Sequence, residues 1–351
     1  MVVKNINGLI TAVQKIYMAA GVNETAAREV AEILVRTTMM GLTSHGVFRT
    51  EQYYWGLKTG SIDSNAPIEV AYRNHAVAVV DGNWNFGHLT AKKCAQTAVE
   101  LAKEYGIGCC TVKNAHHIGA LSIYTRLISE NNCVALGFCG TNGGGYFVAP
   151  HGGKQGRMAT NPISFAAPSG GLPASMDFST SMISEGQLNV LRHAGKKVTP
   201  NLAIDHTGRI ITDPNDYFEP ERGAILPLGE SQGYKGTALC VLNMIFSCLL
   251  PGGNWRPRQN DKTTDGNSLM LIAIDITHFN KSERFKSELS EYAEYIRSCE
   301  PREGFGAVVF PGDLENAKLK SGEESGVEID DATYQQLKRL CDEYNINYDF
   351  S

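Results

Sequence analysis

Two short segments carry residues able to do acid–base chemistry on a small acid: Ser44-His45-Gly46-Val47-Phe48-Arg49 and His116-His117-Ile118-Gly119-Ala120. Histidine titrates near neutral pH, so His117 or His45 could take a hydroxyl proton in one direction and return it in the other. Arg49 lies four residues after His45 and Tyr53 four after that, a spacing that one helical face would align. A planar guanidinium holds a carboxylate through two parallel hydrogen bonds, which a lysine does not. Taken singly, each residue has a plainer account: a hydrogen-bonded structural histidine, a surface arginine beside a capping serine, a packed tyrosine.

Two further segments stand out, Met158-Ala159-Thr160-Asn161-Pro162 and Gly233-Tyr234-Lys235-Gly236. In this order the four segments resemble the malate/L-lactate dehydrogenase family of the non-Rossmann type, whose members include ureidoglycolate, sulfolactate and diketogulonate dehydrogenases. The likeness runs from about the first helix to near the C-terminus. It implies an α/β fold with a helical domain made of both chain ends, residues 1–66 plus 320–351, beside a central cofactor- and substrate-binding region, residues 67–319. It implies NAD or NADP as cofactor and a small 2-hydroxy or 2-keto acid as substrate, malate or L-lactate first. Imine reduction of cyclic 2-carboxylates is the nearest rival chemistry within the family.

The resemblance also distributes roles. His117, in the form H-x-G-A, matches the family's catalytic histidine, with His45 as the alternative acid/base and Asn142 as the group that orients the ring. Arg49, Tyr53, Thr160 and Asn161 fall at substrate positions. Ser44, His45, Ser122, Thr141, Asp177, Phe178, Ser179, Lys235 and Gly236 fall at cofactor positions. Lys235-Gly236 is followed here by Thr237-Ala238-Leu239, where many relatives continue Tyr-Gly-Leu. Homodimers or larger assemblies are implied as well.

The residues themselves exclude several alternatives. No G-x-G-x-x-G joins a strand to a helix and no G-x-x-x-x-G-K-[ST] occurs, which argues against a Rossmann or a P-loop enzyme. H-E-x-x-H and paired-cysteine spacings are absent, so a metal-dependent hydrolase is a remote alternative, and no G-x-S-x-G elbow supports a serine hydrolase. The net charge of −5 over 351 residues gives no footprint for nucleic acid or an anionic membrane. The longest apolar run, Thr237 to Leu250, falls short of the ~20 residues that span a bilayer. Nine scattered cysteines, an odd number, fit free thiols in a reducing cytoplasm.

The elements that must position these residues are legible from periodicity. Leu9, Ile10, Val13, Ile16, Tyr17 and Ala20 mark a first helix ended by Gly21, and Asn23 caps a second with Val30, Ile33 and Leu34 inward. Ala76–Val80, Ile107–Val112, Cys133–Cys139 and Ser268–Asp275 read as strands. Ala91–Tyr105, Ala120–Ile128, the stretch after Lys235 and the Phe285–Ile296 run read as helices, with Asp330-Asp331 capping a last one. This alternation predicts an α/β core with His116-His117 between a strand end and a helix start.

Overall fold

A computed structural model describes residues 2–257 and 266–348. The chain divides into two compact units: Met1–Gly137 with Ser164–Met176 and Leu271–Ser351, and Phe138–Ile163 with Asp177–Met270. The helices near both chain ends share their unit with most of a large sheet, so the compact boundary falls within the later strands.

In the first unit a short strand, β1 (Val2–Lys4), precedes α1 (Ile6–Ala19) and α2 (Glu24–Met39). Asn5 and Asn23 cap the two helices, accepting from the backbone N–H of Gly8 and Ala26. α3 (Thr50–Thr59) follows two 3₁₀ turns, Thr43–His45 and Val47–Arg49. Then come β2 (Glu69–Asn74), β3 (Val77–Asp81), α4 (Gly87–Tyr105), β4 (Ile107–Ala115), α5 (Ser122–Ser129) and β5 (Cys133–Thr141). β2 went unforeseen because every one of its residues is exposed and no inward face marks it.

The chain continues through β6 (Ile163–Ala167), β7 (Ala174–Phe178), α6 (Glu185–His193), the two-residue strands β8 (Ala203–Ile204) and β9 (Ala224–Ile225), and α7 (Tyr234–Met244). α7 widens into a π turn over Ile245–Leu249. The last elements are β10 (Asn267–Asp275), α8 (Ser282–Arg297), α9 (Asp313–Ser325), β11 (Val327–Ile329) and α10 (Asp331–Glu343). A seven-stranded sheet runs in the order β2-β3-β4-β10-β5-β6-β7, with β3 and β4 parallel and β2 antiparallel to β3. The mixed α/β architecture follows.

One apolar core ties the ends of the first unit together. Leu9, Val13, Ile16 and Tyr17 of α1 and Val30, Leu34 and Val35 of α2 pack with Tyr53 and Tyr54 of α3, and with Leu337, Leu340 and Cys341 of α10. Full burial of one such leucine or isoleucine contributes about 1.5–3 kcal/mol. β1 pairs antiparallel with β11, which fastens the two ends through backbone hydrogen bonds as well. Arg126 of α5 is buried yet paired, donating to Asn316 Oδ1 at 2.8 Å and Ser175 Oγ at 2.6 Å. Among the described residues no helix is long and apolar enough to cross a membrane.

The start of α4 is set by contact. A Cβ placed on Gly87 would lie 2.0 Å from the His116 carbonyl oxygen and 2.4 Å from that of His117. The helix therefore begins one turn before the expected Ala91, with its first residue pressed on the backbone that carries the histidine pair. Gly87→Ala should cost about 1–3 kcal/mol through this overlap. A thermal melt unchanged by the substitution would contradict the close approach.

Candidate active site

The first unit brings five of its chemistry-bearing side chains together around Tyr53. The Tyr53 hydroxyl and His117 Nδ1 are 2.7 Å apart, and the two rings lie nearly parallel with centroids 6.0 Å apart. His45 stacks on the His117 ring at 5.7 Å with an interplanar angle of 21°. His88 meets the Tyr53 ring edge to face at 4.7 Å, and His116 does so at 6.1 Å. Arg49 stands near enough to act electrostatically on both His45 and His117.

Local sequence explains how each is held. The expected single helical turn through His45 and Arg49 is replaced by two 3₁₀ turns separated by Gly46. A Cβ on Gly46 would fall 2.1 Å from Thr38 Oγ1, and that hydroxyl accepts the Val47 N–H at 3.0 Å, so the turn sits flush on α2. Ser44 Oγ lies 2.9 Å from His45 Nδ1. Thr50 closes the second turn by donating to the Val47 carbonyl at 2.7 Å and starts α3, which carries Tyr53 inward and fully buried. Beyond β4, the Tyr124 hydroxyl of α5 donates to the Ile118 carbonyl at 2.5 Å and pins the loop that presents His117.

Arg49 is oriented without being neutralised. Its Nε donates to the Ser44 carbonyl at 2.7 Å and its Nη1 to Gln52 Oε1 at 2.7 Å. Neither acceptor is charged, and no carboxylate pairs with Arg49 among the described residues. A positioned guanidinium of this kind is suited to an incoming carboxylate.

The histidines are held neutral. Burial, then the positive charge of Arg49, lowers His45 to about 4. Burial, then His116 and His45, lowers His88 to about 3. His117 lies well below the usual histidine value, through burial first and then Arg49, His45, His88 and His116. The Gly119 backbone N–H points at His117 Nδ1 from 3.3 Å and can only donate. In the neutral ring Nδ1 therefore accepts and the hydrogen sits on Nε2.

Within the first unit the partner of Nδ1 is thus Tyr53. Asn142, in the second unit, accepts the Asn254 backbone N–H on its Oδ1 at 3.2 Å, so its side chain carries a loop contact. Tyr53, expected at the substrate, has its hydroxyl on the histidine. His88 was missed: it falls in Phe86-Gly87-His88, ahead of the helix start that periodicity indicated, and only the early start of α4 turns it inward. Ser122 opens α5 as a buried residue of this unit. Among the described residues no group of three His, Cys, Asp or Glu side chains is arranged to hold a metal ion.

The second unit holds the remaining candidates. Thr141 ends β5 and folds its hydroxyl onto the Gly144 backbone. Thr160 accepts through its carbonyl from the N–H and the hydroxyl of Thr180 at 2.8 and 3.0 Å. Asn161 is 2% exposed, has φ +35°, and donates from Nδ2 to the Cys240 carbonyl at 3.3 Å. Its Oδ1 is buried with no donor. Asp177 and Phe178 close β7, and Ser179 donates to the Ser181 carbonyl at 3.1 Å. Lys235 and Gly236 occupy the first turn of α7, with Lys235 exposed and no carboxylate on it among the described residues.

These features suit a dinucleotide. A lysine at a helix N-terminus with no carboxylate on it among the described residues could hold a phosphate, and a buried amide oxygen without a donor could take an N–H of a carboxamide.

Comparison with known proteins gives a consistent result. Residues 5–338 match the model of the family described as malate/L-lactate dehydrogenase. The chain is 33% identical over 337 residues to malate/(S)-sulfolactate dehydrogenase of Methanothermus fervidus, covering 95% of each. It is 30% identical over 334 residues to 2,3-diketo-L-gulonate reductase of Escherichia coli, covering 95% of this chain and 98% of that one. Among solved structures, malate dehydrogenase from Pyrococcus horikoshii superposes with a TM-score of 0.89 at 26% identity, over 99% of this chain and 97% of that chain. L-sulfolactate dehydrogenase from Methanocaldococcus jannaschii does so with a TM-score of 0.87 at 28% identity, over 99% and 98%.

The depressed histidines make folding stability depend on pH. Each stays neutral in the folded chain while its unfolded counterpart protonates below about 6.5. Their contribution is present above that pH and is lost as pH falls toward the folded value, about 4 for His45 and about 3 for His88. Calorimetric unfolding at pH 5, run in buffers of different ionisation enthalpy, should show net proton uptake and a lowered midpoint relative to pH 8. Equal midpoints and no uptake would contradict neutral histidines in the folded protein.

Proposed function

We propose a reaction for a chain that belongs to the malate/L-lactate dehydrogenase family: reversible oxidation of a small 2-hydroxy acid to the 2-keto acid with NAD or NADP, malate/oxaloacetate or L-lactate/pyruvate first. That the protein is a hydroxy-acid oxidoreductase follows from the family; the substrate, the cofactor and the residue roles are our reading. The observation that carries it is the Tyr53–His117 pair beside an Arg49 with no carboxylate on it among the described residues.

The roles follow from the geometry. Arg49 takes the substrate carboxylate through its unneutralised guanidinium, which fixes C2 in one orientation. Once protonated on both nitrogens, His117 gives its Nε2 proton to the oxygen of a 2-keto acid as that oxygen becomes a hydroxyl, which leaves a neutral ring with its hydrogen on Nδ1. In the oxidative direction that ring takes the hydroxyl proton on its free Nε2 while the C2–H bond breaks. When bound, the nicotinamide supplies or accepts the hydride at its C4. Tyr53 can serve each state of the ring, since a hydroxyl donates to Nδ1 of the resting Nε2–H tautomer and accepts from Nδ1–H of the cation and of the neutral ring that acts as base.

Charge couples the two jobs. A carboxylate seated on Arg49 offsets the positive charge that holds His117 down, so substrate binding eases its protonation. His45, stacked on His117 and lowered by the same guanidinium, is the second candidate acid/base. In the second unit we assign a cofactor phosphate to Lys235 and a cofactor or substrate amide contact to Asn161.

A homodimer in the cytoplasm completes the proposal. All nine cysteines are free thiols, as a reducing compartment would keep them. Val241, Leu242, Ile245, Leu249 and Leu250 of α7 and the π turn are exposed apolar side chains that a second subunit would cover.

The test is a spectrophotometric screen of malate, lactate, sulfolactate, ureidoglycolate and the corresponding keto acids against both cofactors. His117→Ala should lower kcat by about 10²–10⁴-fold. Arg49→Lys should mainly raise KM for the acid. Full turnover in the first variant, or an unchanged KM in the second, would refute the assigned role.

A further inference from the structure

We propose that His88 is a positioning residue of this site: its ring, wedged between Tyr53 and Gly119, holds the Tyr53 hydroxyl against His117 Nδ1. His88 is the second residue of α4 and is 0% exposed. It meets the Tyr53 ring edge to face, with centroids 4.7 Å apart and planes at 89°. The ring also lies against Gly119, where an added Cβ would sit 2.9 Å from His88 Nε2. Gly119 has φ +73° and stands two residues after His117, the one other party to the hydrogen bond. One side chain thus touches both the tyrosine and the loop that carries the histidine.

The neighbouring backbone makes the wedge rigid. Gly87, one residue earlier, is pressed on the carbonyls of His116 and His117. The first turn of α4 can therefore move only together with residues 116–119.

Neither nitrogen of His88 has a hydrogen-bond partner. Hydrogen bonding within the protein therefore does not hold this ring in place. What the imidazole gives the site is a flat, uncharged ring of the right thickness. Burial keeps it uncharged, and His116 and His45 reinforce that. His117 is faced in turn by Arg49, His45, His88 and His116 as charged or titratable groups, with Tyr53 on its Nδ1.

This inference rests on the proposed dehydrogenase function for its kinetic arm and is independent of it in its spectroscopic arm. Wild type, His88→Ala and His88→Phe are compared, with His88→Gln in place of the alanine variant if that protein does not fold. Oxaloacetate with NADH and with NADPH is the probe for turnover, and ¹⁵N-histidine-labelled protein reports the His117 ring without substrate.

A loosened pair should lower kcat of His88→Ala by about 10- to 100-fold with KM nearly unchanged, and shift the acid limb of its pH profile. His88→Phe, which keeps a flat ring, should recover most of the rate and the wild-type limb. The His117 nitrogens should report a single hydrogen-bonded tautomer in wild type and averaging in His88→Ala. A folded alanine variant with wild-type kcat, pH limb and His117 signals would overturn the proposal, since packing alone would then explain His88. A phenylalanine variant as impaired as the alanine one would also overturn it, by placing the role on the nitrogens. If wild type turns over no hydroxy or keto acid, the dehydrogenase reading fails, and the nitrogen spectra still decide the role of His88.

Discussion

The hydrogen bond between the Tyr53 hydroxyl and His117 Nδ1, 2.7 Å long, is the constraint on which the rest of the first unit's site depends. A histidine used as acid and base must show one chosen nitrogen to its substrate, and that choice is made at the other nitrogen. Tyr53 reaches it because α3 begins where Thr50 closes the second 3₁₀ turn. His117 reaches it because the loop after β4 is clasped by Gly87 on one side and by the Tyr124 hydroxyl on the other. Helix starts, rather than loop lengths, set this geometry.

Electrostatics gives the arrangement its chemical direction. His45 and His117 stand near one guanidinium, and burial together with that charge holds both below the usual histidine value, while burial and the neighbouring imidazoles hold His88 down. Such a cluster disfavours a second cation and welcomes an anion. In the proposed reaction a carboxylic acid substrate would bring the charge that the site lacks and ease the protonation of His117, which would link binding and proton transfer through the same arginine.

Much of this was legible in the residues, and the parts that were not share a cause. The helix caps at Asn23 and Asp330, and the strand before and helix after His116-His117, followed from local chemistry that tertiary packing did not override. Arg49, His45 and His117 were legible because few residue types can clamp a carboxylate or exchange a proton at neutral pH. The partner of His117 was not, because hydrogen bonding between α3 and a loop 64 residues later leaves no periodic trace. His88 was hidden by the small residues at the start of α4, which look like a turn until the contact of Gly87 with two carbonyls is seen. The π turn after Met244 was invisible for a similar reason, since an apolar run reads the same in a regular or a widened helix.

The family places hydroxy-acid oxidoreduction on this chain, and His117 with Tyr53 is the pair we propose for the proton. The most direct measurement is the pH dependence of kcat/KM for hydroxy-acid oxidation in wild type beside Tyr53→Phe. The account predicts a wild-type acid limb below the ordinary histidine value, and a slower variant whose limb has moved because Nδ1 has lost its partner. Two superimposable profiles with equal rates would contradict it.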